Sequence, residues 1–346
     1  MTRIYLDYAA TTPLLPAAHA ALEEGWALWA NPSSPHAEGR RARAALEQAR
    51  ARVKAALDWE GEVIFTSGAS EALALALRHS RRPLAHVSVV EHEAVLRHAG
   101  QAQRWGVEPG SGRITPAPEA PDALFALQHV NNETGVIQPV AEIAAELRAA
   151  GGALLCDCAQ SAGKIALPPA AMITISAHKF GGPIGVGALL LRDFALLHAG
   201  GGQERGYRGG TENLPGAMAM AAALEAGNGW MEEAARLRTV LERGICDAGG
   251  EVVAGEAPRI ATIGAYRMPG VSAAAQLIRL DGAGFAVSAG SACSSGSLKP
   301  SHVLEAMGYP HPGEVIRVSV GRETTEDEIA AFLRQWQAIA GGRAAA

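Results

Sequence analysis

The sequence predicts an α/β protein: a three-layer, mostly parallel sheet in a large domain, joined to a smaller α+β domain. Three observations predict it. Short apolar, β-branched runs alternate with alanine-rich stretches of helical length, the pattern of parallel strands covered by helices on both faces. Polar residues collect where those runs end, and in a parallel sheet ligands gather outside the carboxyl ends of the strands. After Ala248-Gly249-Gly250 the segments shorten and close on a charged helix.

The apolar runs place strands at 63–65, 85–90, 124–128, 153–156, 172–176 and 186–191, with helices at 37–57, 70–79, 140–150 and 215–227. Leu237, Leu241 and Ile245 recur at four-residue steps, so 232–246 reads as a long helix leading out of the first domain. Thr324 or Thr325 can cap the last helix, 325–339, with Glu328 reaching back; the tail after it is brief.

The chain has 346 residues, 48% hydrophobic and 19% charged, enough for a large core and more than one domain. A net charge of −5, with both signs interspersed, leaves no electrostatic footprint for nucleic acid or an anionic membrane. The N-terminus has no basic segment followed by an apolar one, and no apolar run reaches membrane-spanning length. Four cysteines in a chain this long form no disulfide framework, which fits a reducing cytoplasmic setting.

Each cysteine then needs its own account. Cys156 and Cys158 flank Asp157, and two-residue alternation turns both away from it, as small core-filling side chains rather than metal ligands. No metal site is expected. Cys246, at the end of an apolar helical face, reads as buried and structural. Cys293 stands in the Gly/Ser/Ala stretch 288–297, with little apolar cover, and reads as a reactive thiol.

Four strand ends deliver polar groups: 66–71, then Asn131-Asn132-Glu133, then Asp157 with Gln160, then Ser176, His178 and Lys179. Lys179, beside a hydroxyl and an imidazole after a buried strand, reads as an amine held for Schiff-base chemistry or as a lysine opening a loop. Gly68-Ala69-Ser70 offers free N–H groups and a helix N-terminus, suited to a phosphate or to a plain helix cap. A carboxylate closing a hydrophobic strand needs a positive partner, so Asp157 faces a protonated ring nitrogen or a structural ion pair. His92 follows another strand, as a ring stacked on a planar cofactor or as a surface histidine.

Taken in order, 5–13, 31–36, 65–71, 91–92, 129–135, 157–161, 176–179, 200–206, 208–211, 290–295 and 316–319 resemble the cysteine desulfurases. These are pyridoxal-phosphate (PLP) enzymes of fold type I in the class V aminotransferase group. The resemblance implies a large PLP-binding domain at 14–230 and a small domain built from 1–13 and 231–346. It implies that Lys179 holds PLP, that Asp157 keeps the pyridine nitrogen protonated, that His92 stacks on the ring and that Gln160 bonds its phenolic oxygen.

The same resemblance gives Ala69, Ser70, Ser176 and His178 to the phosphate, with Thr211 reaching it across a homodimer interface. It assigns Arg317, Asn132 and Asn31 to the substrate carboxylate. Catalysis falls to Lys179, Cys293 and His92: L-cysteine becomes L-alanine, and the sulfur stays as a persulfide on Cys293 for a protein acceptor in iron–sulfur assembly, tRNA thiolation or cofactor synthesis. Selenocysteine fits the same pocket and stays open as an alternative substrate, as does another PLP lyase or aminotransferase activity. Ser70 and Gln203 depart from the family's usual Thr and His, and Ser70 keeps the hydroxyl.

Overall fold

The computed structural model describes residues 3–114, 120–290 and 300–342; Cys293 lies outside the described residues. The chain opens with β1 (Ile4–Tyr5), α1 (Pro16–Ala27) and α2 (Ala37–Ala56). Then come β2 (Glu62–Thr66), α3 (Ala69–His79), β3 (Leu84–Ser88), α4 (Glu93–Leu96), β4 (Gln103–Trp105), β5 (Leu124–Gln128), α5 (Val140–Ala149), β6 (Ala153–Asp157), β7 (Met172–Ser176), β8 (Gly187–Leu191) and α6 (Leu214–Glu225). α7 (Met231–Asp247) leads to β9 (Glu251–Val252), β10 (Ile263–Arg267), α8 (Ala273–Gly282), β11 (Phe285–Ala286), α9 (His302–Ala306), β12 (Val315–Ser319) and α10 (Glu326–Gly341).

Among the described residues the main sheet has seven strands in the order β2-β8-β7-β6-β5-β3-β4. The pairs from β7 through β6, β5 and β3 to β4 are parallel, while β8 runs antiparallel to both β7 and β2. β8 is therefore the reversed strand of a mostly parallel sheet. The link from Ser176 to Gly187 is too short for a crossover helix, so the chain must turn back on itself there. Because β8 sits between β2 and β7, β2 regains the common direction, and its carboxyl end joins those of β5, β6 and β7 on one edge.

β5, β6, β7 and β8 are buried along their whole length, as expected of strands covered on both faces. On one side Val63, Phe65, Phe125, Ile173 and Ile175 pack with α1, α2 and α6, which is apolar up to its last residue, Glu225. On the other, Ile64, Leu155, Met172 and Leu189 pack with α3. A second core surrounds the antiparallel sheet β12-β10-β9, where Leu237, Leu241 and Ile245 of α7 meet Tyr266, Phe332 and Trp336. Leu6, at the start of the chain, is buried in that second core.

Some expectations need correcting. Cys246 is exposed, because the apolar stripe of α7 ends on Ile245 and the next residue is rotated about 100° away from it. β4 was not anticipated: it is a three-residue edge strand with Gln103 and Arg104 exposed, and so carries no apolar alternation. α1 was not anticipated either, although Pro16 at its first turn is a start signal. α10 is capped by Thr325, whose hydroxyl accepts from Glu328 N while Glu328 accepts from Thr325 N, a reciprocal capping box.

Candidate active site

A cavity of about 490 Å³ lies at the carboxyl edge of the main sheet, a size that suits a cofactor together with a small substrate. Its lining brings together Ala69, Ser70, His92, Asn132, Asp157, Gln160, Ser176, His178, Lys179 and Arg317. Asn31 and Thr211 do not line it; both are exposed, and Asn31 turns inward on its own loop to accept from Ser33 N.

At the β2–α3 turn, Gly68 adopts φ 151° and α3 starts with no side-chain cap among the described residues, an arrangement that suits its first N–H groups to a ligand. The φ of Gly68 explains one glycine there, and a close approach explains the other. A Cβ on Gly187 would fall 2.7 Å from Gly68 Cα, so strand β8 can pass this close only without a side chain. A Cβ on Gly68 would lie 3.7 Å from Ser176 Oγ, which puts the hydroxyl ending β7 beside the same turn. His178 Nδ1 sits 3.1 Å from Thr11 Oγ1, and burial, with the charges of Lys179 and Lys164, pushes its pKa down to about 4.

Asp157 is buried at the end of β6, with 8% of its surface open toward the cavity it lines. Burial raises its pKa, against the Ala159 N–H, the nearby His92, the Thr174 hydroxyl and Lys179, which favour its charge. Cys156 and Cys158 turn to the other face, their sulfurs 3.7 Å apart and unexposed. His92 caps α4, its Nδ1 accepting from Ala94 N at 3.1 Å, which places the proton of the neutral ring on Nε2. Burial lowers the His92 pKa and favours that neutral form.

Gln160 donates from Nε2 to Ala9 O at 3.0 Å, and its buried Oε1 has no partner among the described residues. Lys179 Nζ donates to Ala9 O at 2.7 Å and Ala10 O at 2.8 Å, so the N-terminal segment reaches back to orient the amine. Arg317, on β12, is 1% exposed. Its Nη2 meets Asp7 Oδ1 at 2.9 Å and its Nη1 donates to Asn132 O at 2.9 Å, while Nε has no partner among the described residues. The guanidinium borders the cavity already oriented by an acid and a carbonyl.

The sequence reading gave no role to Asp7, Ala9, Ala10, Glu91, Glu133 or Lys164. Lys164 is a second buried amine, its pKa pushed down to about 7 by burial and by Lys179. Asp7, Ala9 and Ala10 come from the opposite end of the chain to Arg317, and no local pattern signals a contact across such a separation. A buried Glu91 beside His92 could have been suspected from Glu91-His92 following an apolar strand.

These residues suit PLP. An uncapped helix start beside two hydroxyls and an imidazole matches a phosphate, and a buried carboxylate that burial disfavours matches a pyridinium. A lysine amine in the same cavity matches an aldehyde. Among the described residues no helix is long and apolar enough to cross a membrane, and no cluster of three metal-ligating side chains occurs.

The Aminotransferase class-V family profile matches residues 4–332. A cysteine desulfurase of Cereibacter sphaeroides is 38% identical, covering 95% of this chain and 93% of that protein. One of Klebsiella pneumoniae is 37% identical, covering 95% of this chain and 90% of its own length. A solved NifS-like protein superposes with a TM-score of 0.88 at 27% identity, over 98% of this chain and 99% of its own. The chain belongs to the class-V aminotransferase family, among its cysteine desulfurases.

Proposed function

We propose that the chain converts L-cysteine to L-alanine at this cavity with PLP bound, the sulfur remaining as a persulfide on Cys293. The observation that carries the reading is the convergence of Lys179, Asp157, His92 and the uncapped start of α3 on one cavity. One solved structure of this fold, SspA, was determined in complex with cysteine (TM-score 0.80, 28% identical, covering 94% of this chain and all of its own).

PLP, when bound, supplies an electron sink for the pair released at the substrate Cα. The N–H groups of Ala69 and Ser70, the Ser176 hydroxyl and His178 hold its phosphate. Asp157 keeps a proton on the pyridine nitrogen, Gln160 gives an N–H to the ring oxygen, and His92 covers the ring face. Lys179 Nζ would tether the cofactor and would take and hold the proton from the substrate Cα. Arg317 and Asn132 orient the substrate carboxylate, and Asn31, which does not line the cavity of the single chain, joins them only in a homodimer. Cys293, as thiolate, attacks the substrate sulfur; an S–S bond forms as the C–S bond breaks, and the carbon takes up protons to leave as alanine.

Thr211 and Asn31 are exposed in the single chain, and we assign both to a homodimer in which Thr211 reaches the partner's phosphate site. A protein acceptor then takes the persulfide sulfur. In domain terms, 14–230 carries the PLP site and 1–13 with 231–346 forms the small domain that brings Arg317. The test is Cys293→Ser, which abolishes sulfide release while the visible absorbance of bound PLP stays. Unchanged turnover in that variant refutes the reading.

A further inference from the structure

We propose that Glu133 is a positioning residue that fastens both roots of the segment carrying Cys293 to the edge of the cavity. This rests on the reading of Cys293 as the sulfur acceptor, but the observations lie wholly among described residues.

Glu133 is buried, 5% exposed, and follows Asn132, which lines the cavity. Its own backbone is fixed, because Asn131 Oδ1 accepts from both Glu133 N and Thr134 N at 2.9 Å. Its side chain reaches the two sides of 291–299. On the far side, Ser301 Oγ donates to Glu133 Oε2 at 2.5 Å while accepting from Leu304 N as the cap of α9. On the near side, Gly290 packs so tightly on the carboxyl that a Cβ there would fall 2.0 Å from Oε2 and 2.6 Å from Cδ. One carboxyl group therefore touches the last residue before the segment and the second residue after it.

The neighbouring contacts have the same sense. His302 Nε2 lies 2.9 Å from Glu91 O, so the residue after Ser301 is pinned beside His92. Ser288 exchanges backbone hydrogen bonds with Arg317 at 2.6 and 3.2 Å, and its hydroxyl donates to Asp7. The near root is thus tied to Arg317, which lines the cavity, and the far root to Glu91 and Glu133, each the sequence neighbour of a lining residue, His92 or Asn132; Glu133 alone among these contacts both roots directly. Burial raises the Glu133 pKa, while Ser301, His302 and Arg317 oppose the rise. An amide of the same shape would keep an oxygen for Ser301 and should replace it well.

A fastener sets how often the thiol reaches the substrate sulfur, not how well PLP or L-cysteine binds. With the full-length holoenzyme, Glu133→Ala should lower the single-turnover yield rate of alanine by about tenfold or more, leaving PLP occupancy and the absorbance-monitored affinity for L-cysteine within about twofold. Ser301→Ala should lower the same rate by a smaller factor, and Glu133→Gln should restore most of it. Cleavage by a dilute protease between 290 and 301 should speed up in Glu133→Ala without substrate present.

An unchanged alanine rate in Glu133→Ala overturns the proposal, and so does a loss of PLP affinity equal to the loss of rate. If Glu133→Ala does not fold, Ser301→Ala decides: a normal rate and normal proteolysis count against the proposal. Cys293→Ser run alongside separates the two readings. Activity surviving there defeats the role of Cys293, whereas a dead Cys293→Ser beside a normal Glu133→Ala defeats only the fastener.

Discussion

Gly187→Ala tests the link between strand packing and cofactor binding. The added Cβ would meet Ile175 O at 2.5 Å, Gly68 Cα at 2.7 Å and Gly68 C at 2.8 Å, all backbone atoms that no rotamer change can move. To reach ordinary contact at 3.4 Å, the Gly68 turn must retreat by about 0.7 Å. A hydrogen bond of about 2.9 Å from the start of α3 to a phosphate oxygen then stretches to about 3.6 Å, which is no longer a hydrogen bond. One or two charge-assisted bonds lost, at about 1.5 kcal/mol each, weaken PLP binding roughly 10- to 100-fold. The assay is a PLP titration of apoprotein followed by visible absorbance. Gly106→Ala, where a Cβ meets nothing within 4 Å, serves as the control. Wild-type affinity in Gly187→Ala, in a folded protein, would refute the argument that this close approach shapes the phosphate site.

Three further predictions follow from buried groups. Arg50 and Glu204, 5% and 3% exposed, form a two-pronged pair at 2.7 and 3.0 Å, and Glu204 also accepts from Phe65 N. Glu204→Ala takes the two-pronged partner from a buried guanidinium that keeps only Glu47 and the Val63 carbonyl, and it strips Phe65 N of its acceptor, so it should cost about 3 kcal/mol in denaturant unfolding; a loss under about 1 kcal/mol would contradict the pairing. Burial holds the Glu91 carboxyl well above the ordinary range, so the folded chain keeps a proton that the unfolded chain releases as pH rises. Glu91→Gln should therefore match wild type in melting temperature near about pH 4 and exceed it by a margin that grows toward about pH 8; a margin that is flat or shrinks with pH would count against a protonated Glu91. In a Cys293→Ser background, a thiol reagent should modify Cys246 in the native protein and reach Cys156 and Cys158 only after unfolding. Rapid native labelling of all three would show that the strand interior is open.

The parallel sheet and most of the polar lining of the cavity were legible because both rest on local patterns. Apolar runs mark the strands, and the fold places polar residues such as Asp157 and Lys179, which follow those runs, on one edge. What was not legible depends on non-local geometry. The reversal of β8 follows from a short connection, and nothing in its apolar sequence distinguishes it from its parallel neighbours. Asp7 meets Arg317, and Ala9 and Ala10 meet Lys179, across nearly the full chain length or half of it, where sequence spacing is silent. Cys246 was misread because it is one residue beyond the last core position of α7, where a small phase error turns an inward residue outward. Asn31 and Thr211 face solvent in the single chain, so any site they complete needs a second copy.

The most direct test of the whole account is to reduce the PLP-loaded protein with borohydride and map the modified peptide. The account predicts a pyridoxyl group on Lys179 alone. A label on Lys164, the other buried amine nearby, or no stable label on a protein that has bound PLP, would contradict it.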